Sequence, residues 1–143
     1  MPSLRVVGIM SGTSGDGIDV AVTQITPAAA SGGAGADDAP GVLGAPPTVE
    51  LVGSVTVPFS TDTRELLFKL FSQQVTLKET CDANATLGGV FGDAVVTALA
   101  ELGVELSSVD LVASHGQTVG DSSPPMNFTL KRMDLPLKLI RFA

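Results

Sequence analysis

The 143-residue sequence has no tryptophan, no tyrosine, one cysteine and one histidine. The lone Cys81 excludes an internal disulfide, and with the lone His115 it leaves no zinc-type ligand cluster. Basic residues are scarce: eight Lys and Arg stand against fifteen Asp and Glu, for a net charge of −7. The deficit lies in the body of the chain, with thirteen acidic and four basic residues up to Gly120 (−9) and two acidic and four basic from Asp121 onward (+2). Binding a phosphate backbone needs a basic surface, so this body argues against nucleic acid as the main partner. No apolar run approaches the ~18 residues that cross a bilayer, and the N-terminus lacks the basic-then-apolar profile of a signal peptide. The expectation is a cytoplasmic protein in a reducing compartment, without a membrane partner.

What the sequence does have is glycine, sixteen in all. The densest block is Gly8-Ile9-Met10-Ser11-Gly12-Thr13-Ser14-Gly15-Asp16-Gly17-Ile18-Asp19, set between the β-branched runs Leu4–Ile9 and Ile18–Ile25. Two such runs around a turn-rich block predict a β-hairpin with the block at its tip. Glycines there let the backbone N–H groups approach a ligand with no Cβ in the way.

Residues 27–48 are almost entirely Ala, Gly, Pro, Ser and Asp, too poor in apolar surface to offset chain entropy. They predict a flexible surface insertion, with a substrate lid as the functional alternative. Val49–Val57 alternates as a third strand. A helix is expected over Thr61–Phe71, with Asp62 and Glu65 spaced as a capping pair and Leu66, Leu67, Leu70 and Phe71 on one face. A second helix is expected from a Thr76/Glu79 capping box, or from about Asp82, to Leu102, with Gly103 as C-cap. Its apolar stripe runs through Leu87, Val90, Phe91, Ala94, Val95, Ala98, Leu99 and Leu102. Gly88, Gly89 and Gly92 weaken that helix, and close packing against a neighbouring backbone would account for them. Val109–Ala113 predicts a short strand ending on Ser114-His115-Gly116-Gln117-Thr118. The pattern is α/β, a mixed sheet with packed helices and a site at the strand ends. It divides the chain into a body over 1–119 and a divergent tail over 120–143 for which no firm structure is predicted.

Gly12 and Gly17 have the spacing of the Walker A glycines, but Ile18 and Asp19 stand where Lys and Ser or Thr are required, and the block leads into a strand. No G-x-G-x-x-G can be placed either. What remains is a phosphate-binding hairpin built from backbone N–H groups and the Thr13 and Ser14 hydroxyls, with Asp16 and Asp19 directed to Mg²⁺ through water. An ordinary glycine-rich hairpin whose aspartates fix turns is the other reading of this composition. For His115, the alternative to a binding role is a hydrogen-bonded structural histidine.

Met10-Ser11-Gly12-Thr13-Ser14-x-Asp16-Gly17-Ile18-Asp19 resembles the signature of the anhydro-N-acetylmuramic acid kinases, members of the actin/hexokinase-type ATPase superfamily. About a hundred residues on, Ser114-His115-Gly116-Gln117-Thr118-Val119 resembles that family's S-H-G-Q-T segment. Gly15 stands where the family usually has a larger apolar residue, and Gly120-Asp121 where it commonly has an aromatic one. The resemblance covers Leu4 to Val119 and implies part of the N-terminal lobe of an actin-like ATPase fold. The family's enzymes use Mg-ATP to open the 1,6-anhydro ring of the sugar with water and phosphorylate O6, giving N-acetylmuramic acid 6-phosphate.

By that resemblance Gly12, Thr13, Ser14, Gly15, Asp16, Gly17, Ile18 and Asp19 form the ATP phosphate loop. His115, Gln117 and Thr118 line the sugar pocket, and Asp16 and Asp19 serve the metal. The family's second lobe, with its adenosine-binding loops and the D-T-G-P-G-N-type segment that carries the catalytic aspartate, has no counterpart here. No catalytic residue is therefore assigned, and little or no turnover is expected of these residues alone. An exposed inter-lobe face would favour self-association. The alternative function is a non-catalytic sugar- or nucleotide-binding module; an unrelated acidic α/β domain would leave the paired motifs unexplained.

Overall fold

Both runs that flank the glycine block are strands in the computed structural model, which describes residues 2–28, 46–122, 126–130 and 140–142. Strand β1 (Leu4–Ser11) and strand β2 (Gly17–Thr26) pair antiparallel from Leu4↔Ile25 to Ser11↔Ile18, leaving Gly12 to Asp16 as the tip. Strand β3 (Thr48–Pro58) adds antiparallel to β2, with a bulge between Val22 and Thr23. The flexible insertion expected over 27–48 falls, for residues 29–45, outside the described residues.

Two helices follow. Helix α1 (Thr61–Phe71) has the expected bounds but a different cap. Ser60, in extended backbone, accepts the Thr63 N–H on its Oγ at 3.2 Å, so the cap lies two residues before the Asp62 of the expected Asp62/Glu65 pair. Asp62 instead sits in the first turn, where a negative charge faces the positive end of the helix. Helix α2 (Leu77–Glu101) starts on the expected capping box: Glu79 N–H donates to Thr76 Oγ1 at 3.2 Å, and Thr76 N–H donates to Glu79 Oε2 at 2.7 Å. It ends in a Schellman arrangement, with Gly103 at φ +65, Gly103 N–H on Ala100 O at 3.2 Å and Val104 N–H on Leu99 O at 2.9 Å.

A 3₁₀ turn over Leu106–Ser108, not legible as periodicity, leads to strand β4 (Leu111–Ser114), which pairs parallel to β1 through Ile9↔Ser114. Arg5 and Asp110 fix that register, Asp110 N–H donating to the Arg5 carbonyl at 2.9 Å and Arg5 N–H to the Asp110 carboxylate at 2.8 Å. The sequence supports no firm element after Val119, yet strand β5 (Gln117–Ser122) continues past it and pairs antiparallel with strand β6 (Met126–Leu130). Strand β7 (Ile140–Phe142) pairs parallel to β4. Backbone ladders, rather than apolar periodicity, organise these segments. The main sheet has the order β3-β2-β1-β4-β7, mixed as expected for an α/β layout.

The core lies between this sheet and α2. Alternation puts Val7, Ile9, Ile18, Val20 and Val22 on the helix side, against Leu87, Phe91, Ala94, Val95, Ala98 and Leu99. Each large side chain so buried stabilises the fold by about 1.5–3 kcal/mol. By length and composition α2 can cross a membrane, contrary to the expectation that no run reaches that length, but half of the relevant window is buried in this core. Gly88 and Gly92 are buried, whereas a Cβ on Gly89 would meet nothing within 4 Å, so close packing does not account for Gly89. On the opposite sheet face the register groups Leu4, Met10, Val49 and Leu51, all exposed.

Candidate functional site

Because β1 and β4 run parallel, the glycine tip and the Ser114–Thr118 segment leave the sheet side by side at their carboxyl ends, the usual place for a site in an α/β sheet. Ser114 Oγ accepts the Gly116 N–H at 3.0 Å, and Gly116 takes φ +77, a left-handed conformation that suits glycine. That tight turn swings the chain from β4 into β5 and puts Gln117 under the tip.

Gln117 is fully buried, and its amide is used internally. Its Oε1 accepts the Ser11 hydroxyl at 2.5 Å, while its Nε2 donates to the Gly12 carbonyl at 3.3 Å and the Thr118 carbonyl at 3.1 Å. Both amide hydrogens are therefore engaged. Gln117, expected to face a sugar, offers a ligand no donor in this arrangement and instead ties the tip to β5.

The tip is held elsewhere as well. The Asp16 carbonyl accepts the Phe59 N–H at 3.1 Å, and Asp19 Oδ1 accepts the Thr56 hydroxyl at 2.6 Å. Gly17 admits no side chain, since a Cβ there would lie 2.6 Å from the Val57 carbonyl oxygen. Gly15 takes φ +67 and is buried, and a Cβ on it would lie 3.7 Å from the Phe68 ring. Gly12, Thr13, Ser14 and Asp16 are exposed, whereas the Ile18 side chain belongs to the core and offers a ligand only its backbone.

Beside the tip lies a cleft of about 260 Å³ lined by Thr13, Phe71, Gln73, Thr118, Val119 and Gly120. It joins Thr13 of the glycine block to Thr118 of the second segment, side chains 105 positions apart in the sequence. His115 is exposed on the turn and is not part of the lining. Sequence reasoning missed Phe71, Gln73, Val119 and Gly120. Phe71 reads there as part of an apolar helix face, and the signal for Gln73 is the lack of glycine or asparagine where α1 ends.

Mg²⁺ binds through hard oxygen donors, commonly one or two carboxylates completed by phosphate and water. Asp16 and Asp19 fit that donor set: both are exposed, and Thr56 engages only Oδ1 of Asp19. Among the described residues no group of three or more His, Cys, Asp and Glu gathers into an all-protein cage.

A family model described as anhydro-N-acetylmuramic acid kinase matches residues 4–139, a stretch that continues beyond the motif resemblance into the tail. The chain is 33% identical over 115 residues to a protein named anhydro-N-acetylmuramic acid kinase from Caldanaerobacter subterraneus subsp. tengcongensis, covering 80% of this chain and 25% of that protein. Proteins of the same name from Bacillus thuringiensis subsp. konkukian and Bacillus cereus are 36% identical over 117 residues and 35% over 123. Those matches cover 81% and 85% of this chain but 27% and 28% of the relatives. The chain thus spans about a quarter of the length of the curated relatives it matches.

Proposed function

The chain belongs to the anhydro-N-acetylmuramic acid kinase family, and from that premise we propose that it supplies the phosphate loop and sugar contacts of an ATP-dependent anhydro-sugar kinase. The described α/β unit is compatible with the N-terminal lobe of an actin-like fold. The proposed substrate is 1,6-anhydro-N-acetylmuramic acid, whose anhydro ring is opened by water as O6 is phosphorylated, giving N-acetylmuramic acid 6-phosphate.

One observation carries this reading: Thr13 and Thr118, each from one family-like motif, line the same cleft. A kinase has to hold a phosphoryl donor and an acceptor hydroxyl next to each other, because catalysis of phosphoryl transfer is largely positioning and charge stabilisation. In this reading the exposed backbone of Gly12 to Ser14 and the Ser14 hydroxyl receive the phosphates, while the Thr13 hydroxyl lies at the junction and faces the sugar. Thr118 hydrogen-bonds the sugar, and Gln117 holds the two motifs in register without touching either ligand. His115 sits outside the cleft and would reach a ligand only above the turn. Asp16 and Asp19 would hold Mg²⁺ through water; when bound, it would neutralise phosphate charge in a loop that has no lysine.

The 143 residues contain no D-T-G-P-G-N-type segment, where the family places its catalytic aspartate. A polypeptide of these residues alone is therefore expected to bind without appreciable turnover, since loss of a general base typically costs ~10²–10⁴-fold. The exposed Leu4, Met10, Val49 and Leu51 support self-association of such a polypeptide, which light scattering reads directly. Incubating the purified chain with the anhydro-sugar and Mg-ATP and assaying for the 6-phosphate tests the catalytic clause. Product at ordinary kinase rates would refute it, and calorimetry with each ligand tests binding separately.

A further inference from the structure

Gln73 is the one non-glycine with positive φ among the described residues, at +57. It directly follows Ser72, the C-cap of α1, and its N–H closes on the Leu70 carbonyl at 3.0 Å. That left-handed position normally belongs to glycine or sometimes asparagine, because a Cβ there crowds the following carbonyl oxygen and only a short polar side chain offsets this by local hydrogen bonding. A glutamine there is disfavoured by its backbone and needs a reason in its side chain. Helix termination is no such reason, since α2 ends in the same backbone conformation with Gly103.

The position of Gln73 in the cleft supplies one. It lines the space with the hydroxyls of Thr13 and Thr118 and the apolar surfaces of Phe71 and Val119. Among the described residues the lining has no ionisable side chain and offers hydroxyl, amide and apolar surfaces, which suit a sugar ring better than a polyphosphate. Its volume of about 260 Å³ is just below the range of ligand pockets, which run roughly 300–1,000 Å³. Among the described residues no hydrogen bond engages the Gln73 amide, unlike that of Gln117. An amide offers both a donor and an acceptor, which is what a ring carrying hydroxyl and acetamido groups requires.

We propose that Gln73 is a sugar-binding residue, its amide completing with Thr13 and Thr118 the polar contacts to the ring, and that ligand binding is what keeps glutamine at this left-handed position. The proposal rests on the sugar-kinase reading above. Calorimetric titration of the 143-residue chain with 1,6-anhydro-N-acetylmuramic acid, together with thermal melting, compares wild type with Gln73→Gly, Gln73→Asn and Thr118→Val. Gln73→Gly relieves the backbone and is expected to melt at or above the wild-type temperature while binding about 3- to 10-fold more weakly. Gln73→Asn keeps an amide and tolerates the left-handed region, and is expected to recover part of that loss. Unchanged affinity in Gln73→Gly, with binding weakened in Thr118→Val, overturns the role of Gln73 and leaves the sugar-kinase reading standing. Absence of saturable binding to wild type, or saturable binding indifferent to both positions, overturns both.

Discussion

The hydroxyl of Ser11, the last residue of β1, donates to the side-chain amide oxygen of Gln117, the first residue of β5, at 2.5 Å, with both residues buried. This contact joins the two motif segments, and an unpaired buried polar group is costly. Replacing Gln117 with leucine orphans the Ser11 hydroxyl and is expected to cost about 1–3 kcal/mol in urea unfolding. Adding Ser11→Ala should recover part of the loss, with a coupling energy of roughly 0.5–3 kcal/mol. Strictly additive costs would show that the pair does not act as a unit.

Two glycines should respond to alanine with opposite signs. A Cβ on Gly17 would lie 2.6 Å from the Val57 carbonyl oxygen, so β2 and β3 must part to admit it. Gly17→Ala is expected to destabilise by about 1–3 kcal/mol. Gly89, in α2, has open space around it, and Gly89→Ala should stabilise by up to about 1 kcal/mol through helix propensity. Thermal melts of the two variants check both signs.

Phe91 is 2% exposed, on the face of α2 that packs against the sheet. Phe91→Ala is expected to cost about 3–5 kcal/mol, from lost burial and the cavity left behind. Leu77, at the start of the same helix, is 81% exposed, and Leu77→Ala should stay within about 0.5 kcal/mol. Urea midpoints compare them.

Helix α2 should also loosen at its start in acid. Lys69 hydrogen-bonds the Glu79 carboxylate, and the Thr76 backbone N–H adds to it, pulling its pKa from 4.5 to about 2. A carboxyl depressed in the folded state contributes stability that is present above its unfolded pKa and lost as pH falls through its folded pKa. Protection of the first-turn amides of α2, taken relative to their intrinsic exchange at each pH, should therefore fall between pH 4.5 and about 2. Glu79→Gln should flatten that dependence, and an unchanged profile in the variant would assign the effect to another group.

The parts of the fold legible in the sequence are those where side-chain chemistry is local. The Thr76/Glu79 box and the β-branched flanks of the glycine block read directly, because caps and alternation are neighbour effects. Ser60 was obscured by a second plausible capping pair that begins two residues later. Strand β6 pairs with the adjacent β5 and strand β7 with the distant β4, and the apolar pattern of neither segment announces a strand. At the site, the motifs lead to two segments that the fold brings side by side, but not to which side chains face inward. Gln117 looks like a ligand contact until Ser11 and Gly12 are seen to occupy it, and Gln73 acquires meaning only from its backbone angle and its place beside Thr13.

The central claim is that the two motifs form one site with separate places for sugar and phosphate. Amide chemical-shift mapping of the 143-residue chain tests it most directly, titrating first with 1,6-anhydro-N-acetylmuramic acid and then with Mg-ATP. The account predicts saturable shifts from the sugar at Thr13, Gln73, Thr118 and Val119, and from Mg-ATP at Gly12 to Gly17. Saturable shifts from either ligand confined to residues away from the glycine tip and the Ser114–Gly120 segment, or no shifts with both, would contradict it.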